Sequence, residues 1–229
     1  MKILFKPQTE WLPPEEFKDL SSYDEIAIDL ETKDPNLKTM GSGSVTGQAK
    51  IVGIALAVEG WSAYYPIAHE GGGNMDRKKV MDYFRTILNY PSRKIFHNAM
   101  YDVCFIRAEG LKINGEVVDT MIAGSLVNEN RFRYDLGSMG RDYLGKGKNE
   151  AVLTETAKEW GIDPKSEMYK LPAMYVGEYA EQDANLTLKL WQEMKKQMYH
   201  EDVEDIFKLE TELFPCLVDM RFLGVRVDT

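Results

Sequence analysis

The chain has 229 residues, 44% hydrophobic and 28% charged, a balance that argues against disorder and suits one well-buried domain or a domain with an appended helical piece. With 28 Lys and Arg against 37 Asp and Glu, the net charge is −9 and the pI near 5.0, which speaks against a broad basic face for gripping duplex nucleic acid, though a cleft could still bind a short strand through metal ions and a few local contacts. Cys104 and Cys216 form no CxxC pair and fit a reducing cytosol, and the absence of any run near ~18 apolar residues predicts a soluble protein that is neither secreted nor membrane-bound.

In chain order, the first predicted strand lies at 25–31 within "YDEIAIDLET". Side chains alternate along a strand, so Ile26, Ile28 and Leu30 share one face while Ala27, Asp29 and Glu31 share the other. A loop over 33–50 follows, carrying Lys33, Lys38 and Lys50 and the Gly-rich stretch "KTMGSGSVTGQ". Its GxG lacks the following helix and the GK[ST] of a nucleotide cradle, so it reads as a mobile connection or as a surface lying along a single strand. Strands are predicted at 50–58, 61–67 and 93–97, and Glu59-Gly60 between the first two suits a tight hairpin, which makes the early sheet antiparallel. Helices are predicted over 75–89, 98–109, 119–127, 135–144, within 150–160, and over 175–199 and 202–222. Strands first, then strand-helix alternation, then a helical tail, imply a mixed sheet flanked by helices with a helical C-terminal extension.

Three acidic positions stand out from this frame. Asp29 and Glu31 point the same way about 7 Å apart at ~3.3 Å per residue, and like charges at that distance resist joint ionisation unless a cation compensates them. In "IFHNAMYDVCFIRAEG", Asn98 is a good N-cap and Asp102 falls in the first helical turn, where the helix dipole favours a negative charge. In "YVGEYAEQDANLTLKLW", Tyr179 and Asp183 are one turn apart on the stripe continued by Leu186 and Leu190, so both point toward the protein body. A buried carboxylate needs a partner, and no basic residue lies at a spacing within this helix that could serve Asp183.

Asp29, Glu31, Asp102, Tyr179 and Asp183, arranged as DxE, then NxxxD about seventy residues on, then YxxxD about eighty further, resemble the three motifs of the DEDDy 3′→5′ exonucleases. That group shares a ribonuclease H-like fold and includes the proofreading domains of family A DNA polymerases. "VVDTMIAGSLVNEN", "YDLGSMGRDYLG" and the tail "ELFPCLVDMRFLGVRVD" are similar to flanking family segments, and "EWGIDPKSEMYKLPAMYVGEYAEQDA" is most similar to phage-type polymerases. Residues 1–200 then form the exonuclease domain and 201–229 a helical segment leading toward a polymerase domain. The chain ends at "GVRVDT", where the resemblance expects polymerase sequence to begin, so it is expected to be a fragment or a naturally separate subunit.

The resemblance implies two Mg2+ (or Mn2+) ions, with Asp29 bridging them, Glu31 and Asp183 completing the first site, Asp102 supporting the second largely through water, and Tyr179 orienting the attacking water. The chemistry agrees, since two ions ~3.5–4 Å apart can serve both the attacking and the leaving oxygen of a phosphodiester, and magnesium prefers such oxygen ligands. Thr32 and Asn98 match family positions that touch the terminal nucleotide, and Met40 is a candidate wedge against a base. Asp119 reads as an N-cap and His97 as a packed or rim histidine, while His69 and His200 show no partner pattern. The Met and aromatic residues of 191–222 have helical spacing and read as packing against the polymerase part.

The implied function is removal of mispaired nucleotides from a DNA primer terminus as nucleoside 5′-monophosphates. Its partners would be a single-stranded 3′ end of DNA, a polymerase domain or subunit and a possible processivity factor, in the cytoplasm of a bacterial host. An RNase D-like enzyme that trims RNA 3′ ends, or an inactive structural or strand-binding module, is the alternative. The intact acids and Tyr179 argue against the inactive module.

Overall fold

The computed structural model describes residues 9–227. Five strands, β1 (Glu25–Lys33), β2 (Lys50–Val58), β3 (Trp61–Pro66), β4 (Arg93–Phe96) and β5 (Val117–Asp119), form one sheet in the order β3-β2-β1-β4-β5. The β1-β2 and β2-β3 pairs are antiparallel and the β1-β4 and β4-β5 pairs parallel, so the sheet is mixed with antiparallel first strands, as the sequence implies. The predicted hairpin forms with Val58 opposite Trp61, and Gly60 at φ 75° supplies the left-handed backbone that its two-residue turn needs.

Around the sheet lie two short helices, α1 (Leu37–Met40) and α2 (Gly43–Thr46), then α3 (Arg77–Asn89), α4 (Ala99–Ala108), α5 (Thr120–Val127), α6 (Leu136–Leu144), α7 (Ala151–Trp160), α8 (Gly177–Glu201) and α9 (Glu204–Leu223). The three-residue β5 was not anticipated, being too short to show a period, and neither were the single turns α1 and α2 within the loop after β1.

Strand alternation divides the core into two layers. On one face Ile26, Ile28 and Leu30 pack with Ile54, Leu56 and Tyr65 against Val80, Phe84 and Ile87 of α3 and Phe105 of α4. On the other face Ala27, Ala55 and Ala57 meet Ala180 and Ala184 of α8. Small residues on both sides let the long helix lie close across β1, β2 and β3, which brings its N-terminal half over the C-terminal end of β1. Segment 9–24 holds this arrangement: the Trp11 ring covers Gly177, where a Cβ would fall 2.1 Å from the indole, and its Nε1 donates to Glu181 at 2.9 Å.

The expectation that the Met and aromatic residues of 191–222 pack against a polymerase part needs correction for several of them. Trp191, Met194, Met198, Phe207 and Phe214 are buried in this chain's own core, because α9 folds back against α4, α5 and β5. Ile206, Leu209, Leu213, Leu217, Met220 and Leu223 on α9 remain exposed.

Candidate active site

The C-terminal half of β1 carries the first two acids. Asp29 stands opposite Ala55 and Glu31 opposite Gly53, after which the register slips so that Thr32 faces Ile51, a bulge of the kind that re-aims side chains at a strand end. Both residues are half-buried. Burial first, and then the charge of Asp183, push the Asp29 pKa up to about 7. Glu31 is raised well above the carboxylate range by burial, by Asp29 and by Asp183.

Asp102 comes from the first turn of α4. The parallel ladder of β1 with β4 ends at Ala27 and Ile95, and past that point the Leu30 N–H donates to Asp102 Oδ1 at 3.0 Å. This bond fixes one carboxylate oxygen of Asp102 against the strand that carries Asp29 and Glu31. Burial and the charge of Asp29 hold the Asp102 pKa well above normal.

Asn98 occupies the N-cap position of α4 but caps nothing with its side chain. It sits in the left-handed region at φ 64°, which Asn tolerates better than most residues, and its exposed side chain makes no capping bond. Asp119 does the capping instead: its carboxylate accepts from the Asn98 N–H at 2.9 Å, the Ala99 N–H at 2.7 Å and, as expected for its own helix α5, the Met121 N–H at 2.8 Å. One acid thus ties the starts of two helices together.

Asp183 and Tyr179 arrive from α8 on the predicted inward stripe, Asp183 buried and Tyr179 half-buried. The cation that helix spacing could not supply comes from the loop before α7: Lys148 Nζ pairs with Asp183 Oδ2, donates to the Tyr179 hydroxyl at 3.2 Å and lies over its ring, 5.2 Å from the centroid. Asp183 Oδ1 is buried with no partner among the described residues. Burial works against the Lys148 ammonium, yet Asp183, Asp29 and Glu31 outweigh it and hold its pKa above the usual lysine value. The Tyr179 pKa is pushed far up by burial and then by Asp183, Glu31 and Asp29, so the phenol keeps its proton.

Behind Glu31 lies support that motif reading missed. The Tyr64 ring, fully buried, fills the space over Gly53, where a Cβ would fall 2.0 Å from the Tyr64 hydroxyl. That hydroxyl meets His69 Nε2 at 2.6 Å, and His69 Nδ1 meets the Leu171 carbonyl at 3.0 Å. Burial lowers the His69 pKa to about 4, so the ring is neutral, Nδ1–H donates to the carbonyl and Nε2 accepts the Tyr64 proton. His69, expected to lack partners, is therefore fully engaged. His97 is the packed histidine that was expected, with Nδ1 2.8 Å from Thr120 Oγ1 and a pKa lowered to about 4 by burial and Lys148.

Of the expected nucleotide contacts, Thr32 lies on β1 beside the acids with its hydroxyl 2.7 Å from that of Tyr101. Met40 ends α1 with its side chain 64% exposed, and Lys33 pairs with Glu70 at 2.6 Å. A concavity of about 610 Å³ opens beside Lys148, with a wall of Arg133, Arg141 and Lys165 interspersed with Asp135 and Glu150. Another concavity, about 990 Å³, lies at the opposite end of β1 beside Glu25 and is lined by none of Asp29, Glu31, Asp102 and Asp183.

The donors in this cluster are carboxylate oxygens, hard ligands of the kind magnesium and manganese favour. Among the described residues no three of them stand in ready-made ligating geometry. The unpartnered Asp183 Oδ1, and three acids whose pKa values are raised by burial and then by one another's charge, nevertheless fit a divalent cation chemically.

The family model described as 3′-5′ exonuclease, from family A DNA polymerases, matches residues 6–199. The chain belongs to the 3′-5′ exonuclease family. This exonuclease chain is 34% identical over 228 residues to a DNA-directed DNA polymerase of Pseudomonas phage M6, covering 96% of this chain and 34% of that protein. It spans about a third of the length of the phage polymerases it matches first. Its fold is shared with solved structures of Brucella melitensis NrnC with bound Mg2+ (TM-score 0.61, 16% identity, 90% of this chain and 89% of that one) and of Escherichia coli RNase D, an exoribonuclease (TM-score 0.56, 18% identity, 90% and 47%). These establish the ribonuclease H-like architecture of 3′-5′ exonucleases.

Proposed function

We propose that this exonuclease removes mispaired nucleotides from the 3′ end of a DNA primer, releasing nucleoside 5′-monophosphates, as the proofreading part of a phage family A DNA polymerase. The observation that carries the reading is the meeting of Asp29, Glu31, Asp183 and Tyr179, drawn from one strand and one helix, in a cluster whose acids repel one another. Two bound Mg2+ or Mn2+ ions would supply Lewis-acid stabilisation of the leaving 3′ oxygen and acidify the attacking water. Asp29, Glu31 and Asp183 would hold them, with Asp102 supporting the second. Tyr179 keeps its proton, so it acts as a hydrogen-bond donor that orients the attacking water and not as a base. Thr32, Asn98 and Met40 would meet the terminal nucleotide, and the wall of Arg133, Arg141 and Lys165 suits the phosphates that follow it.

In this reading residues 1–200 form the nuclease unit, and 201–229 lead toward a polymerase domain or subunit, with a processivity factor as a further partner in the host cytoplasm. The phage polymerase relatives support DNA as substrate. The fold shared with RNase D supports a second reading, RNA 3′-end trimming.

A 5′-labelled DNA primer with a 3′ mismatch, incubated with Mg2+, with EDTA and with the Asp29→Ala variant, tests the proposal. Stepwise shortening from the 3′ end that requires both metal and Asp29 is the expected result. No shortening by folded wild-type protein with Mg2+ or Mn2+ would sink it, and RNA degraded as fast as DNA would favour the second reading.

A further inference from the structure

We infer that Lys148 is a resident counter-ion of the carboxylate cluster, which a divalent cation displaces from Asp183 as it binds. The inference rests on the metal-dependent reading above and adds a residue to it. Among the described residues Lys148 is the cation whose charge bears on Asp29, Glu31 and Asp183 alike. Its side chain is only 20% exposed, and its Nζ reaches both the Asp183 carboxylate and the Tyr179 hydroxyl.

The loop that delivers Lys148 is built for the task. Gly145 closes α6 in the left-handed conformation, and the Lys146 N–H then returns to the Gly140 carbonyl at 3.1 Å. That approach is so close that a Cβ on Gly140 would fall 2.7 Å from the Lys146 carbonyl oxygen. Past Lys148, the Asn149 N–H donates at 3.0 Å to Gln182 Oε1, on the residue next to Asp183. The lysine is thereby fastened on one side to α6, which packs on α8, and on the other to α8 itself.

Lys148 uses only half of the carboxylate it pairs with. Asp183 Oδ2 takes the ammonium while the buried Oδ1 has no partner among the described residues, leaving an acceptor for a second, stronger cation. An ammonium and a divalent ion on the same carboxylate repel each other, because like charges ~4 Å apart are only partly screened in a half-buried protein site. The ion therefore binds by exchange: the lysine leaves Asp183 and stays beside the Tyr179 hydroxyl. A permanent salt bridge, the competing account, would leave Lys148 in place and metal affinity insensitive to its charge.

Chelator-treated wild type, Lys148→Met and Lys148→Arg are titrated with Mg2+ alone by calorimetry, and their melting temperatures are read with and without the ion. Exchange predicts that Lys148→Met binds Mg2+ at least ~5-fold tighter than wild type, because the competing charge is gone, and that Lys148→Arg stays within about twofold. It also predicts a lower metal-free melting temperature for Lys148→Met, with the deficit closing at saturating Mg2+. Equal or weaker Mg2+ binding by folded Lys148→Met, beside normal binding by wild type, overturns the exchange alone. No binding by wild type overturns the metal-dependent reading and the exchange with it. Should Lys148→Met not fold, amine labelling of wild-type Lys148 decides: reactivity that rises with Mg2+ supports release from Asp183, and unchanged reactivity refutes it.

Discussion

The two ends of β1 carry acids of the same chemistry in opposite electrostatic settings. Glu25, at the start of the strand, accepts from Trp191 Nε1 at 2.9 Å, Gln192 Nε2 at 2.6 Å, Lys195 Nζ at 2.9 Å and Arg93 at 3.1 Å. Burial alone would raise its pKa, but these partners outweigh it and bring the value down to about 2. Four residues further on, Asp29 is pushed up to about 7, and it shares a single lysine, Lys148, with Glu31 and Asp183. Glu25 is satisfied by the fold and needs nothing more. The far end is left short of positive charge, which is the condition for recruiting a metal, and it costs stability whenever no cation is present.

The sharpest way to break this comparison is to remove an acid at each end. Asp29→Ala should cut 3′ shortening on the order of 10²–10³-fold or more, the scale of losing an electrostatic element of a transition state, while leaving the metal-free melting temperature unchanged or higher. A large fall in metal-free stability, measured by thermal denaturation, would mean that Asp29 is structural.

Gly53→Ala tests the support behind the deficient end. Its Cβ would overlap the buried Tyr64 ring, which His69 holds in place, so roughly 3 kcal/mol of stability should be lost in urea denaturation together with activity. Wild-type stability in this variant would show that Tyr64 moves freely.

Glu25→Ala should cost roughly 2 kcal/mol by stranding Lys195 and leaving Arg93 with Glu116 as its remaining carboxylate, with little effect on the rate of cleavage. Because the folded-state pKa of Glu25 is depressed, its contribution is present above the unfolded value near 4.5 and is lost as pH falls toward about 2. Stability of wild type minus variant, followed from pH 7 downward, should shrink across that window, and a constant difference would contradict the ion-pair account.

The smallest effect is expected at Thr32→Val. Losing the bond to Tyr101 should cost about 1 kcal/mol, and a raised KM for the primer would add a nucleotide contact that a purely structural hydroxyl would not show.

Much of the site was legible because its residues obey local periods. Alternation placed Asp29 and Glu31 together on β1, and a one-turn spacing placed Tyr179 and Asp183 on the buried stripe of α8. The same logic found the hairpin and all the longer helices. It failed at β5, which is shorter than any period, and at Asn98, whose capping role passed to Asp119 because the backbone turned left-handed there.

What the sequence by itself determined is therefore the set of acids and the direction each faces within its own element. Only the tertiary structure decided which cation answers them and what braces them from behind. Lys148 is 35 positions from Asp183, and Leu171 is 102 positions from the His69 it anchors, so no local spacing could record that they meet. The sole hint was the glycine-flanked lysine pair of "GKGKN" after α6. The alanine-lined contact of α8 on the sheet brings Asp183 over the end of β1, and the close turn at Gly140 brings Lys148 to Asp183. Both depend on how tightly backbones approach, a property of packing and not of any residue read alone.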